Sequence, residues 1–277
     1  MSAKPSEVVQ VAREYYNSED ADNFYFEIWG GEDIHIGLYR DAAESIAVAS
    51  TRTVATMAHE LGAITNRSRI ADFGAGYGGS ARWLARTYGC HVSCVNLSEV
   101  QNDRNRSITK AAGLSDLIDV HDASFENAPL DDASFDHVWS QDSLLHAGDR
   151  AAVLDEVDRI LKPGGGFIFT DPMQADDCPD GVLEPVLDRL HLDSLGSFAF
   201  YRKEAERLGW TEVRIHDLTP QLVAHYTRVR QDLASRRPEL ADRISEEYID
   251  RMIAGLGHWV DAGSNGHLAW GILHFRK

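Results

Sequence analysis

Positive charge is scarce in this chain: 27 Lys and Arg stand against 44 Asp and Glu, leaving a formal charge of −17 and a sequence pI near 5.0. That balance disfavours nucleic-acid backbones and anionic membranes as partners. The ordinary reading of such a surface is solubility, and it also suits a salt-rich cytoplasm. Cysteine is equally sparse. Of the three present, Cys90 and Cys94 lie four residues apart on a predicted strand, so about 13 Å separates them, too far for one disulfide or one metal. Buried, reduced thiols are expected. The 12 histidines form no i, i+4 pair and no Cys-x-x-Cys occurs, so no metal is expected either. No secretory pattern precedes Val8, no run of about 18 apolar residues could span a bilayer, and a cytoplasmic protein is expected. Repeats, low-complexity tracts and linkers are missing. What remains is 277 residues with 43% apolar content, enough for a proper core.

The most informative stretch is Arg69-Ile70-Ala71-Asp72-Phe73-Gly74-Ala75-Gly76-Tyr77-Gly78-Gly79, continuing through Trp83 and Leu84. It reads as an apolar strand that ends in an acid and passes through a glycine-rich turn into a helix. Gly74 and Gly76 allow positive φ and close approach of a ligand to the backbone, and the helix near Gly78 offers unpaired N–H groups. Gly74, Gly76 and Gly79 also satisfy G-x-G-x-x-G, the dinucleotide fingerprint. Two features oppose that reading: Asp72 would meet a cation better than a pyrophosphate, and the next strand, His91 to Leu97, offers Asn96 where an acid would bind ribose. A tight turn with no ligand is the bland alternative.

Around this turn, strand and helix alternate. Residues 5–17 and 41–61 read as helices, the latter amphipathic through Ala43, Ile46, Val54, Met57 and Leu61. Between them lies an aromatic segment, Tyr15 to Tyr39, broken by Gly30, Gly31 and Gly37. It is either a satellite core or an arm that closes over a ligand with a wall suited to cations. After the glycine turn, Gly89 ends a helix, and Ser98 caps another over Glu99 to Ala112. Strands follow at 117–120, before Ser140 and at 167–170, with a helix at 149–161. Five alternations imply right-handed crossovers and a parallel, doubly wound sheet with ligands at its carboxyl edge. From Asp171 to Gly209 the alternation lapses, with helices near 182–192 and 199–208. Residues 211–218 form a sixth strand, 221–256 a helical excursion, and 267–275 a last apolar strand.

Asp72-x-Gly74-x-Gly76 resembles the first motif of class I S-adenosylmethionine-dependent methyltransferases, and Leu161-Lys162-Pro163-Gly164-Gly165 resembles a turn of the same class. The arm Phe24 to Tyr39, Leu97-Ser98-Glu99-Val100-Gln101-Asn102, Trp139-Ser140-Gln141-Asp142, Trp270-Gly271 and Phe275-Arg276-Lys277 resemble the sarcosine/dimethylglycine N-methyltransferases, over nearly the whole chain. Asn96 departs from the acid most of the class carries, as it does in that family, and an amide still bonds ribose hydroxyls. The resemblance implies a Rossmann-like α/β sheet, mostly parallel with an antiparallel last strand. It divides the chain into an aromatic arm and helix (1–62), a cofactor-binding core (63–171), an inserted helical cap (172–210) and the C-terminal part of the sheet with its excursion (211–277).

The same resemblance implies S-adenosylmethionine as cofactor, with Asp72, Gly74 and Gly76 on its methionine part. Asn96, Leu97 and Gln101 would hold the ribose, Asp122, Ala123, Ser124 and Phe125 would border adenine, and Gln141 would lie beneath the sulfonium. Phe125 as core and Asp122 as a turn residue stay open. His146 resembles a histidine near the acceptor amine in phosphoethanolamine methyltransferases, and it or a water held by Gln141 could take the amine proton; a satisfied polar residue is the plain alternative. The implied reaction is in-line methyl transfer to sarcosine and dimethylglycine, giving glycine betaine. Such a zwitterion needs a cation for its carboxylate and aromatic faces for its methylated ammonium. Arg202 beside Tyr201 is the candidate cation, or a solvated helix residue, with Trp29, Tyr39 and Met173 as walls. Another small amine, a carbon nucleophile, or a cofactor-binding subunit without activity are the alternative readings.

Overall fold

The computed structural model describes Arg13, residues 16–190 and residues 192–277. Most of the helix expected over 5–17 lies outside the described residues. Apolar β-branched and aromatic runs build seven strands: β1 (Arg69–Phe73), β2 (His91–Asn96), β3 (Ile118–Asp122), β4 (Phe135–Gln141), β5 (Leu161–Gln174), β6 (Thr211–Asp217) and β7 (Leu268–Arg276). They form one sheet in the order β3-β2-β1-β4-β5-β7-β6. The first five strands in chain order pair in parallel, and β7 runs antiparallel to both its neighbours. The strand order therefore reverses between β1 and β4, and a crevice opens beyond their carboxyl ends.

Helices cover both faces. On one, α2 (Ile46–Leu61) and α3 (Gly79–Tyr88) bury Val54, Met57 and Leu84 against Ile70, Trp139 and Ile168. Ser45 caps α2, so that helix starts later than the amphipathic pattern suggests. Beyond the carboxyl end of β2, α4 (Glu99–Ala111) starts at Ser98, whose Oγ accepts the Gln101 N–H at 3.2 Å. On the other face, α5 (Arg150–Ile160) and α7 (Phe198–Arg207) pack Val157, Tyr201 and Ala205 on Phe167, Phe169 and Phe275.

A third apolar cluster stands over the crevice. There α1 (Glu19–Ile28) meets α8 (Thr219–Leu240) and α9 (Glu246–Ser264), with Phe24, Trp29, Tyr226, Trp259 and Trp270 buried between them. Val186 of α6 (Glu184–Leu190) joins them. Of the cap expected over 172–210, Leu183, Val186, Leu192 and Leu195 lie in this cluster, while its two ends do not. β5 continues past Asp171 to Gln174 because β7 pairs with it that far, and α7 belongs to the sheet layer. The arm helix and the long excursion make up the rest of the cluster over the crevice. Among the contacts that moor the arm, Arg82, fully buried, donates to Glu32 at 3.0 and 2.8 Å, Tyr77 Oη donates to Asp22 at 2.7 Å, and Arg104 pairs with Asp22. Among the described residues no helix is long and apolar enough to cross a membrane.

Candidate active site

The turn after β1 has the form its glycines demand. Gly74 and Gly76 lie at φ +75° and +52°, where a side chain is strained, and Gly74 N–H donates to Val95 O at 2.8 Å. The two differ in what surrounds them. A Cβ on Gly74 would lie 2.2 Å from Ser143 Cβ, inside the protein, whereas on Gly76 it would meet the tip of Ile34 at 3.3 Å. Gly74 thus serves packing, and Gly76 keeps the floor of a chamber low.

Beside the turn lies a small acidic chamber of about 300 Å³, lined by Glu32, Asp33, His35, Asp72 and Gln141. Burial pushes the Asp72 carboxyl up to about 7; the charge of His35 opposes this and that of Asp33 adds to it. Its Oδ2 finds no partner among the described residues. Gln141 is held by its other end: Oε1 accepts from Ser80 Oγ at 2.5 Å and Trp139 Nε1 at 2.9 Å, while the buried Nε2 has no partner there. An acid without a cation and an amide N–H without an acceptor, side by side, form a receptor for an ammonium carrying a polar tail. His35, which sequence reasoning passed over, completes it. Burial works against a charge on this imidazole, but Asp33 and Asp142 beside it prevail and raise its pKa.

Adjoining it is a larger chamber that opens to solvent. Asn96, Leu97, Gln101, Ser124 and Phe125, the residues expected beside ribose and adenine, are among its lining. Asn96 Nδ2 donates to Gln101 and Asn102 at 3.1 and 3.2 Å, fixing the amide at the strand end. Asp122 and Ala123 do not line it. Asp122 accepts from Asn102 and Arg106, both at 2.7 Å. Burial would raise its pKa, but those hydrogen bonds outweigh burial and hold it below the carboxylate range. Its side chain fastens β3 to α4.

A third chamber, about 340 Å³, opens off the second and shares with it Tyr16, Ile34, Asp142 and His146. Its other walls include Tyr25, Trp29, Leu145, Pro172 and Tyr226. Tyr16 Oη and His146 Nε2 lie 2.9 Å apart, with the rings edge to face. Asp142 marks the junction. It holds φ +50°, an uncommon conformation outside glycine, with Oδ2 accepting the Ile36 N–H at 2.6 Å and Oδ1 accepting Trp270 Nε1–H at 2.8 Å. Burial raises its carboxyl pKa.

Of the residues expected around the acceptor, Trp29 lines this chamber and four others do not. Tyr39 Oη lies 3.0 Å from His225 Nδ1, outside the lining. Met173 is fully buried under α7, and Tyr201 Oη donates to Asp171 at 2.7 Å. Arg202 is half exposed and pairs with Glu212 at 3.0 Å. The reason is the helix period: consecutive residues of α7 point about 100° apart, so when Tyr201 faces the sheet Arg202 faces solvent. Sequence reasoning missed Tyr16, Tyr25, Asp142, Leu145 and Tyr226, which come from three separate parts of the chain. The aromatic density of the arm was the one local signal.

Residues 71–169 match the family model described as a methyltransferase domain. The sarcosine/dimethylglycine N-methyltransferase of Halorhodospira halochloris is 56% identical over 98% of this chain and 97% of its own length. The chain belongs to the sarcosine/dimethylglycine N-methyltransferase family. A glycine/sarcosine/dimethylglycine N-methyltransferase of Actinopolyspora halophila is 59% identical over 98% of this chain, which spans about half, 48%, of that longer protein. The crystal structure of a Galdieria sulphuraria protein assigned as a sarcosine dimethylglycine methyltransferase superposes with a TM-score of 0.90, at 42% identity, covering 95% of this chain and 98% of its own. As in this family of class I enzymes, the cofactor is S-adenosylmethionine, and the unpaired Asp72 Oδ2 and Gln141 Nε2 fit its amino-acid end. Several solved methyltransferases of the same fold carry that cofactor or its demethylated product.

Proposed function

We infer that the chain methylates sarcosine and N,N-dimethylglycine at nitrogen, giving glycine betaine, in the cytoplasm and without nucleic-acid or membrane partners. The carrying observation is the aromatic chamber that opens, through Tyr16, Ile34, Asp142 and His146, onto the chamber holding the glycine turn. When bound, S-adenosylmethionine supplies a methyl group on a sulfonium. Asp72 would receive its ammonium and His35 its carboxylate, Gln141 Nε2 would face the amino-acid part, and Asn96 and Gln101 would hold the ribose. The acceptor amine sits at the junction against the Tyr16 face, which favours an ammonium and excludes water. Only the neutral amine carries a lone pair, so His146, steadied by Tyr16, would take its proton before methyl transfer. Position and desolvation do most of the work.

The test is transfer of a labelled methyl group from the cofactor to dimethylglycine, followed by magnetic resonance of the product. Label in trimethylglycine is the expected result. A protein that binds S-adenosylhomocysteine by calorimetry yet labels neither sarcosine nor dimethylglycine would sink the reading, and label moving to another amine would redirect it.

A further inference from the structure

The acceptor carries a carboxylate, and the structure removes the residue first expected to hold it. Arg202 lies on solvent with Glu212. Among the described residues no Lys or Arg lines the aromatic chamber. Arg13 touches only the larger chamber and pairs with Glu99. The carboxylate therefore needs another donor.

Its position is constrained by chemistry. Methyl transfer puts the acceptor nitrogen at the walls shared with the cofactor chamber, and Asp142 at that junction repels a second anion. The carboxylate falls against the unshared walls. One of these, Trp29, is 3% exposed, and its Nε1–H finds no acceptor among the described residues. A buried donor without a partner is costly enough to be rare. Beside it, His225 packs edge to face with ring centroids 5.1 Å apart. Gly37 N–H can only donate, and it does so to His225 Nδ1 at 3.2 Å, so the ring proton belongs on Nε2, which also lacks a partner there. Burial first, then the charge of His35, lowers the His225 pKa to about 3, so this ring is neutral. The corner is rich in N–H donors and carries no positive charge. That suits a ligand whose other end is an ammonium, since a guanidinium in so small a space would repel it.

We propose that Trp29 Nε1–H binds the carboxylate of the methyl acceptor, a substrate-binding role for the indole in addition to its aromatic face. The assignment rests on the proposed reaction. Protein labelled with ¹⁵N-tryptophan and saturated with S-adenosylhomocysteine is titrated with trimethylglycine and, separately, with choline, which has the trimethylammonium but no carboxylate. The Trp29 indole resonance, identified by its loss in Trp29→Phe, is expected to move downfield with trimethylglycine and not with choline. In kinetics, Trp29→Phe keeps a ring and loses the N–H, so KM for dimethylglycine should rise about tenfold while kcat and S-adenosylhomocysteine affinity change by less than about twofold. Trimethylglycine that binds by calorimetry with the Trp29 resonance unmoved would overturn the assignment, as would an unchanged KM in the variant. Wild-type protein that neither binds trimethylglycine nor methylates dimethylglycine would overturn the proposed reaction, and this assignment with it.

Discussion

Asp72 is a carboxyl group kept from water with one oxygen unpaired, and its pKa near 7 follows from that isolation. An arriving ammonium favours the ionised form, so below pH of about 7 binding must release a proton, and affinity should fall as pH falls. Calorimetry of S-adenosylhomocysteine in buffers of different ionisation enthalpy reads that proton directly. Asp72→Asn should abolish the release and weaken binding by about 10- to 100-fold, the value of a lost charge-assisted bond. The two turn glycines separate at the same scale. Gly76→Val places a side chain where the ligand passes and costs about 1–2 kcal/mol of backbone strain, so a folded protein with lost cofactor affinity is expected. Gly74→Ala drives a methyl to 2.2 Å from Ser143 and should instead lower the melting temperature markedly. Unchanged S-adenosylhomocysteine binding in folded Gly76→Val would remove the central claim about the turn.

Among elements, the arm contributes most to the site and was least legible. The strands of the core could be read because each is a short apolar run closed by glycine, proline or a capping residue, and all of that information is local. Gly74, Gly76, Asn96, Leu97 and Gln101, which the family resemblance singled out, line one chamber at the turns that the strand order brings together. α1 escaped notice because three aromatics and four acids in ten residues show no clean helical stripe, although Ser18 caps it. The acceptor chamber joins the arm to α8 and to the ends of β4 and β5, some 200 residues apart in the case of Trp29 and Tyr226, and no local pattern encodes such a pairing. Asp142 fastens that assembly. In Asp142→Asn the amide presents N–H₂ to one of two N–H donors, Ile36 or Trp270, and loses that bond, at a cost of about 1–3 kcal/mol. Faster hydrogen exchange at the Ile36 amide, with β1 and β2 unchanged, is the expected signature. Uniform loss of protection would show that the arm is no separate unit.

For the whole molecule, a formal charge of −17 means that folding gathers like charges, and added ions should relieve the repulsion. The melting temperature should climb by several degrees between about 0.05 and 1 M sodium chloride, with most of the gain below about 0.3 M, where screening changes fastest. A flat profile would mean that ion pairs such as Arg159 with Glu156 and Lys162 with Asp136 already balance the surface locally. The sheet order carries a consequence of another kind. β7 lies between β5 and β6, although every other strand precedes it in the chain. While the polypeptide is being synthesised, β6 has no sheet neighbour and the flank of β5 stays open until residues 268–276 leave the ribosome. The nascent chain thus exposes a hydrophobic seam beside β5, one strand in from the edge of its future sheet, while residues 175–276 are made, a natural target for strand-pairing mistakes and for the chaperones that prevent them.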